Sequence, residues 1–330
     1  MIGVGNYPQS GNWASLCSTN DLKLLNIALI NVGFESRNIE ILKEDSATKK
    51  GILDAIQRFE NRLNTGDIAY FHFSGHGQQK ADLEGDEIDG LDECIVPFDS
   101  PKNFVFGIYE GENLITDDEL NTIFLKIRKK LGEKGQIIIS LDACHSGTGI
   151  RGNIQARGST TIMASEEYLN KIASKVNQKE YNKIQKSIEI TELAPMVAIF
   201  GSAQHQLNYE MCTPNGEHYG SLSYAISKGL NSNKPALSIR NFFDLIKIEM
   251  NTIAPLQQPQ IEGEQDRALF NGKLTTKTNY FLPIQMVSES EVNINAGMLQ
   301  GIFENTEFQL FESYYLEKKR CQTYCKWIGS

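Results

Sequence analysis

The apolar positions change period repeatedly along the chain, from short continuous runs to the three-to-four spacing of amphipathic helices. Residues 1–7 read as a short strand entering a Gly/Asn/Pro loop. Leu25, Ala28, Leu29 and Val32 predict a helix over 21–32 that stops at Gly33. Residues 39–42 read as a strand, after which Ser46 or Thr48 can cap a helix carrying Ile52, Ile56, Phe59 and Leu63. The β-prone run 68–73 breaks at Ser74-Gly75-His76-Gly77. The acidic, Gly-rich stretch 80–100 reads as a surface loop. Thr116 and Glu119 have capping-box spacing ahead of Leu120, Ile123, Phe124 and Ile127. Residues 137–141 form another buried strand, ending at Asp142-Ala143-Cys144-His145-Ser146-Gly147. Beyond a polar, Lys-rich segment come a strand at 197–200 and helices over 222–230 and 239–251.

Strands alternating with helices predict an α/β domain with a mostly parallel sheet flanked by helices. We place that domain at 1–275, with 151–190 as a polar insertion open to cleavage. Residues 276–330 change character and read as a small β-rich segment of unknown role. The two motifs around His76 and Cys144 each follow a buried strand. Ligands in open α/β sheets bind outside those carboxyl ends, so the two motifs predict one site.

Composition narrows the function classes. The 330 residues are 40% hydrophobic and 22% charged, as in ordinary soluble globular chains. A net charge of -9 argues against a nucleic-acid partner, which would need clustered Lys and Arg. No apolar run approaches the roughly 20 residues of a membrane helix. Six scattered cysteines do not read as a disulfide framework, so a reducing cytoplasm is the expected compartment. Cys321 and Cys325 lack the further ligands that a metal site needs.

Cysteine chemistry needs a thiolate, a proton donor for the leaving amine, and donors for an oxyanion. Cys144 and His76 supply the first two. The small residues around them let a substrate backbone approach and leave amides free for the third. His145 adjoins the cysteine, but neighbouring side chains point apart, so a structural role is favoured for it.

The strand-Ser-Gly-His76-Gly and strand-Asp142-Ala-Cys144-His-Ser-Gly arrangement resembles the caspase-like cysteine peptidases, in particular metacaspases and their bacterial relatives, the orthocaspases. Further likeness lies in Asn20-Asp21, in the loop 85–93, in Ile115-Thr-Asp-Asp-Glu-Leu, in Gly201-Ser-Ala and in Gln258-Pro-Gln-Ile-Glu-Gly. The resemblance implies attack by Cys144, protonation of the leaving amine by His76, and an oxyanion hole from the Gly77 and Cys144 amides. It implies an acidic S1 pocket made by Asp21, Asp142 and Glu210, and therefore protein or peptide substrates with Arg or Lys at P1. Read without it, Asp21 could simply complement a helix N-terminus.

Many metacaspases use calcium, and Asp117 and Asp118 match two such carboxylates, with Asp92 or Asp99 as the third; Asp99, Asp117 and Asp118 are the expected set. A further family Asp falls near Arg151 here, which weakens that expectation. Arg151-Gly152 and Arg157-Gly158 are the expected sites of self-cleavage, since nicking concentrates in polar loops. A solvated insertion is the alternative. Two other readings stay open: a catalytically silent caspase-like module that binds or assembles, and a legumain- or clostripain-like peptidase with a different P1 preference. An activator protein, the oligomeric state and the physiological substrate are not legible.

Overall fold

The computed structural model describes residues 1–144, 156–175, 193–203, 206–232 and 237–274, together with four short strands beyond 282. In chain order come β1 (Ile2–Gly3), α1 (Ser18–Asn31), β2 (Leu42–Lys43), α2 (Lys49–Arg62) and β3 (Ile68–Ser74). Next are β4 (Gly77–Ala81), β5 (Leu91–Ile95), β6 (Ile115–Thr116), α3 (Asp117–Leu131), β7 (Gln136–Asp142) and α4 (Glu166–Lys175). Then follow β8 (Met196–Phe200), β9 (Glu210–Cys212), β10 (His218–Gly220), α5 (Ser221–Leu230), α6 (Ile239–Ile253) and β11 (Gln260–Gly263). Beyond them β12 (Pro283–Ser288) pairs with β13 (Glu291–Ile294), and β14 (Glu307–Gln309) with β15 (Tyr324–Lys326), both antiparallel. Arg151, His145 and Cys321 lie outside the described residues.

The central sheet has the order β11-β8-β7-β3-β1-β2, parallel except for β11. Side chains alternate across it, as the pleat demands. Ala69, Phe71 and Phe73 of β3 join Ile137 and Ile139 of β7 against Ile52 and Ile56 of α2 and Phe124 and Ile127 of α3. On the other face Val197 and Ile199 of β8 pack with Leu25 and Leu29 of α1, Leu222 and Ile226 of α5, and Phe242 and Ile246 of α6. Burying each such side chain stabilises the fold by roughly 1.5–3 kcal/mol. The expected α/β architecture is thus observed.

Several local expectations change. The cap of α2 is Thr48, whose Oγ1 accepts from Gly51 N at 3.0 Å, while Ser46 closes the preceding turn. Thr116 Oγ1 accepts from Glu119 N, but Glu119 turns to Lys49 Nζ at 2.9 Å instead of completing a capping box. The stretch 80–100 is not a loop throughout. β4 and β5 form an antiparallel hairpin, and Cys94, Ile95 and Val96 are buried. Only its tip is irregular, where Asp82 accepts from the amides of Gly85 and Glu87. The many acids of that tip hid the apolar positions that follow it.

Candidate active site

Register brings the two motifs together. β3 and β7 are neighbouring parallel strands with Ser74 opposite Asp142, so His76 and Cys144, each two residues further on, leave the sheet side by side. Both are buried.

His76 is held on three sides. Its Nε2 lies 2.8 Å from the carbonyl of Ala14, which fixes the proton on Nε2 and leaves Nδ1 with the lone pair. That Nδ1 is buried without a hydrogen-bond partner. Trp13 stacks on the ring with centroids 4.7 Å apart, and Tyr7 Oη accepts the His76 amide at 3.0 Å. Burial pushes the imidazole pKa down to about 3, against the raising effect of the Ala14 carbonyl. The histidine is therefore neutral, with its Nδ1 lone pair in place to accept a hydrogen bond. Cys144 Sγ donates to the carbonyl of Gln206 at 2.9 Å.

The acidic residues converge as well, and they are occupied by the chain itself. The Arg157 side chain is fully buried, with Nη2 2.8 Å from Asp21 Oδ2 and 3.0 Å from Glu210 Oε1, and Nη1 3.7 Å from Asp142 Oδ2. Nη1 also donates to Ser74 Oγ at 2.7 Å and to the Asp142 carbonyl at 3.3 Å. Burial opposes the guanidinium charge, but the three carboxylates more than offset it and raise its pKa. Burial pushes Asp21 up to about 6, although Arg157 draws it down.

A second layer of donors aims the carboxylates. Gly220 N and Ser74 Oγ donate to Asp21, and Cys17 N donates to Glu210. Asp142 accepts from Asn208 Nδ2 at 2.8 Å and from Ser223 N and Oγ at 2.8 and 2.5 Å. Behind Ser223 a line of contacts runs through His72 and Ser140 to Tyr70. Gly220 closes the pocket wall. A Cβ there would stand 2.2 Å from Asp142 Oδ2 and 2.6 Å from Arg157 Cζ.

The Arg157 backbone is fixed too. Its carbonyl oxygen accepts from the amides of Gly77 at 3.2 Å and Cys144 at 3.0 Å, and its own amide donates to Asn208 O at 2.9 Å. Ala156 bridges antiparallel to Tyr209, whereas Gly158 and Met163 run parallel to β4 beside Gly77 and Lys80. Met163 is buried beside Cys94 and Leu114, which anchors the chain beyond Gly158.

The carboxylates of the expected calcium set have these surroundings. Asp99 Oδ1 accepts from Lys49 N at 2.9 Å, and among the described residues no three His, Cys, Asp or Glu are arranged to hold a metal ion. Asp92 and Asp117 are instead carboxyls pushed up to about 7 by burial and by neighbouring acids.

His72 adds a consequence for stability. Burial lowers its pKa to about 3, as it does for His76, so both stay neutral in the folded chain while the unfolded chain takes up protons below about 6.5. A lowered folded pKa means stability that is present above 6.5 and lost as pH falls towards 3. Each imidazole adds at most about 1.4 kcal/mol per pH unit to that slope. Asp21, Asp92 and Asp117, raised to about 6, 7 and 7, act in the opposite sense over the same range, so the imidazole contribution is read as a difference. In urea unfolding at pH 7, 6 and 5, Cys144→Ala is expected to lose stability relative to Cys144→Ala with His72→Gln as the pH falls.

A buried cysteine and histidine thus leave adjoining strand ends, with two amides on one carbonyl and three carboxylates around one guanidinium. The comparisons place the chain in a family. The sequence matches the Caspase domain family over residues 1–286, and the chain belongs to that family. It is 25% identical over 296 residues to Metacaspase-1 of Kluyveromyces lactis, spanning 79% of this chain and 64% of that protein. It is 34% identical over 154 residues to Metacaspase-3 of Arabidopsis thaliana, spanning 45% of this chain and 39% of that one. The chain thus spans less than two thirds of the length of these curated relatives. The crystal structure of protein GSU0716 from Geobacter sulfurreducens shares the fold with a TM-score of 0.55 at 23% identity, over 79% of this chain and 90% of that one. Among the described residues no helix is long and apolar enough to cross a membrane.

Proposed function

We propose that this protein is a cysteine endopeptidase that cleaves after Arg or Lys, and that the Arg157–Gly158 bond of its own chain is one substrate. One observation carries the reading: the Arg157 carbonyl sits on the Gly77 and Cys144 amides while its guanidinium fills the carboxylate pocket. P1 side chain and scissile carbonyl are therefore both in place at the nucleophile.

The reaction begins when Cys144 Sγ exchanges the Gln206 carbonyl for His76 Nδ1 and gives up its proton there. The thiolate attacks the Arg157 carbonyl carbon, and the developing oxyanion stays on the two amides. As the C–N bond breaks, the imidazolium returns the proton to the Gly158 nitrogen, which leaves as an amine. A water then loses a proton to His76 and attacks the thioester. The Arg157 carboxylate leaves, and the proton on His76 restores the thiol. Until the first cut, Arg157 keeps other substrates out, so the intact chain is its own zymogen. A thiol nucleophile suits a reducing compartment, and we place the protein in the cytoplasm.

A calcium requirement is the second part of the proposal, and it rests on charge. Burial raises the pKa values of Asp92, Asp117 and Asp118, neighbouring acids raise them further (Asp118 acting on both Asp92 and Asp117), and a divalent cation would relieve that repulsion.

Peptides varied at P1 test the proposal, with wild type beside Cys144→Ala and each in chelator and in added calcium. Arg and Lys peptides are expected to be cut by wild type only. Asp or Asn preference would reject the pocket, no cleavage at all would leave a binding module, and equal rates in chelator and calcium would remove the metal.

A further inference from the structure

The geometry points to glycine as the residue this site requires immediately after the cleaved bond, which makes its substrates Arg-Gly or Lys-Gly sequences. The inference rests on the proposed P1 reading and adds a requirement on the leaving side. Three constraints fix the scissile peptide at once: the guanidinium among Asp21, Asp142 and Glu210, the carbonyl on two amides, and the Arg157 amide on Asn208 O. A planar trans peptide then fixes the next Cα as well. A Cβ placed on Gly158 would lie 2.4 Å from the carbonyl oxygen of Cys144, 3.0 Å from its carbonyl carbon and 3.1 Å from its Cβ.

These are atoms of the nucleophile residue itself, and most are backbone. Two of them are backbone, so making room would mean turning the peptide that follows the nucleophile or shifting the Arg157–Gly158 bond away from it. A side chain at this position must therefore push the scissile carbonyl off its donors or out of line with Sγ. The need is for space, since Gly158 is not among the glycines with positive φ. The sequence is consistent with such a rule. Of the nine arginines only Arg151 and Arg157 precede glycine, and both lie in the segment read as the processing loop.

Displacements of this size in a reacting group cost on the order of 10²-fold in rate. The test uses processed wild-type enzyme and two peptides ending Ala-Arg-Gly and Ala-Arg-Ala before a common tail. The Gly peptide is expected to be cut on the order of 10²-fold faster, with the difference mainly in kcat. Gly158→Ala in the full chain is expected to slow self-cleavage to a similar degree, read by gel over time. Equal rates on the two peptides would overturn the glycine requirement and leave the P1 reading intact. An Asp-Gly peptide cut in preference to both would overturn the P1 reading, and the inference with it.

Discussion

Asp142→Asn is expected to lower kcat/KM for an Arg-P1 peptide by about two to three orders of magnitude in the processed enzyme. Asp142 lies on the pocket floor, 3.7 Å from Arg157 Nη1, and takes hydrogen bonds from Asn208 and from Ser223 N and Oγ. An amide there removes a charge and turns an NH₂ group towards donors that need an acceptor. A general loss of fold would lower activity on every substrate alike. The discriminating readout is therefore the ratio of Arg to citrulline at P1, which keeps shape and removes charge. That ratio is expected to collapse in the variant. An unchanged ratio would mean that Asp142 serves the fold and not the recognition of a cation.

The second large effect concerns Arg157. In a Cys144→Ala background, which keeps the chain intact, Arg157→Ala leaves Asp21, Asp142 and Glu210 in one pocket without their counter-ion. Removing one partner of a buried charge cluster costs roughly 3–5 kcal/mol. The sign with pH follows from Asp21, which is already pushed up to about 6 with the arginine present. A carboxyl whose folded pKa is raised contributes stability at low pH that is lost as pH rises through that value. The variant is accordingly expected to lose more at pH 8 than at pH 5. Free arginine in millimolar amounts is expected to restore part of the thermal midpoint at pH 8, because a ligand that binds only the folded state stabilises it. A variant as stable as its parent at every pH would contradict the buried cluster.

The sequence alone exposed the strands that carry the chemistry. The runs ending at Ser74 and Asp142 are continuous and apolar because both faces of the sheet are covered, and the small residues after them mark where the chain leaves it. That was enough to predict a shared site for His76 and Cys144. The carboxylates came from family likeness, since an acid in a first helical turn, such as Asp21, reads equally well as a dipole partner.

Other site residues left no local trace. His72 and Ser140 sit inside strands, and Ser223 lies within α5, so each reads as part of an ordinary amphipathic element. Gly220 looks like a turn glycine until the Arg157 guanidinium is placed against it. Asn208 and Gln257 meet at 2.7 Å across 49 residues of chain, a pairing that no spacing rule reports. Arg157 was legible as a processing site but not as the occupant of the pocket, because its partners lie as far as 136 residues away. The β4–β5 hairpin was missed because its acid-rich tip dominates the local composition.

Cys144 is expected to cut the bond after Arg157. Intact-mass and N-terminal analysis of the purified full chain, with Cys144→Ala and Arg157→Ala prepared alongside, tests it most directly. Wild type is expected to convert to fragments 1–157 and 158–330 with Gly158 as the new N-terminus, and both variants are expected to keep that bond intact. Equal conversion in Cys144→Ala, or a wild-type chain that never opens after Arg157, would contradict it.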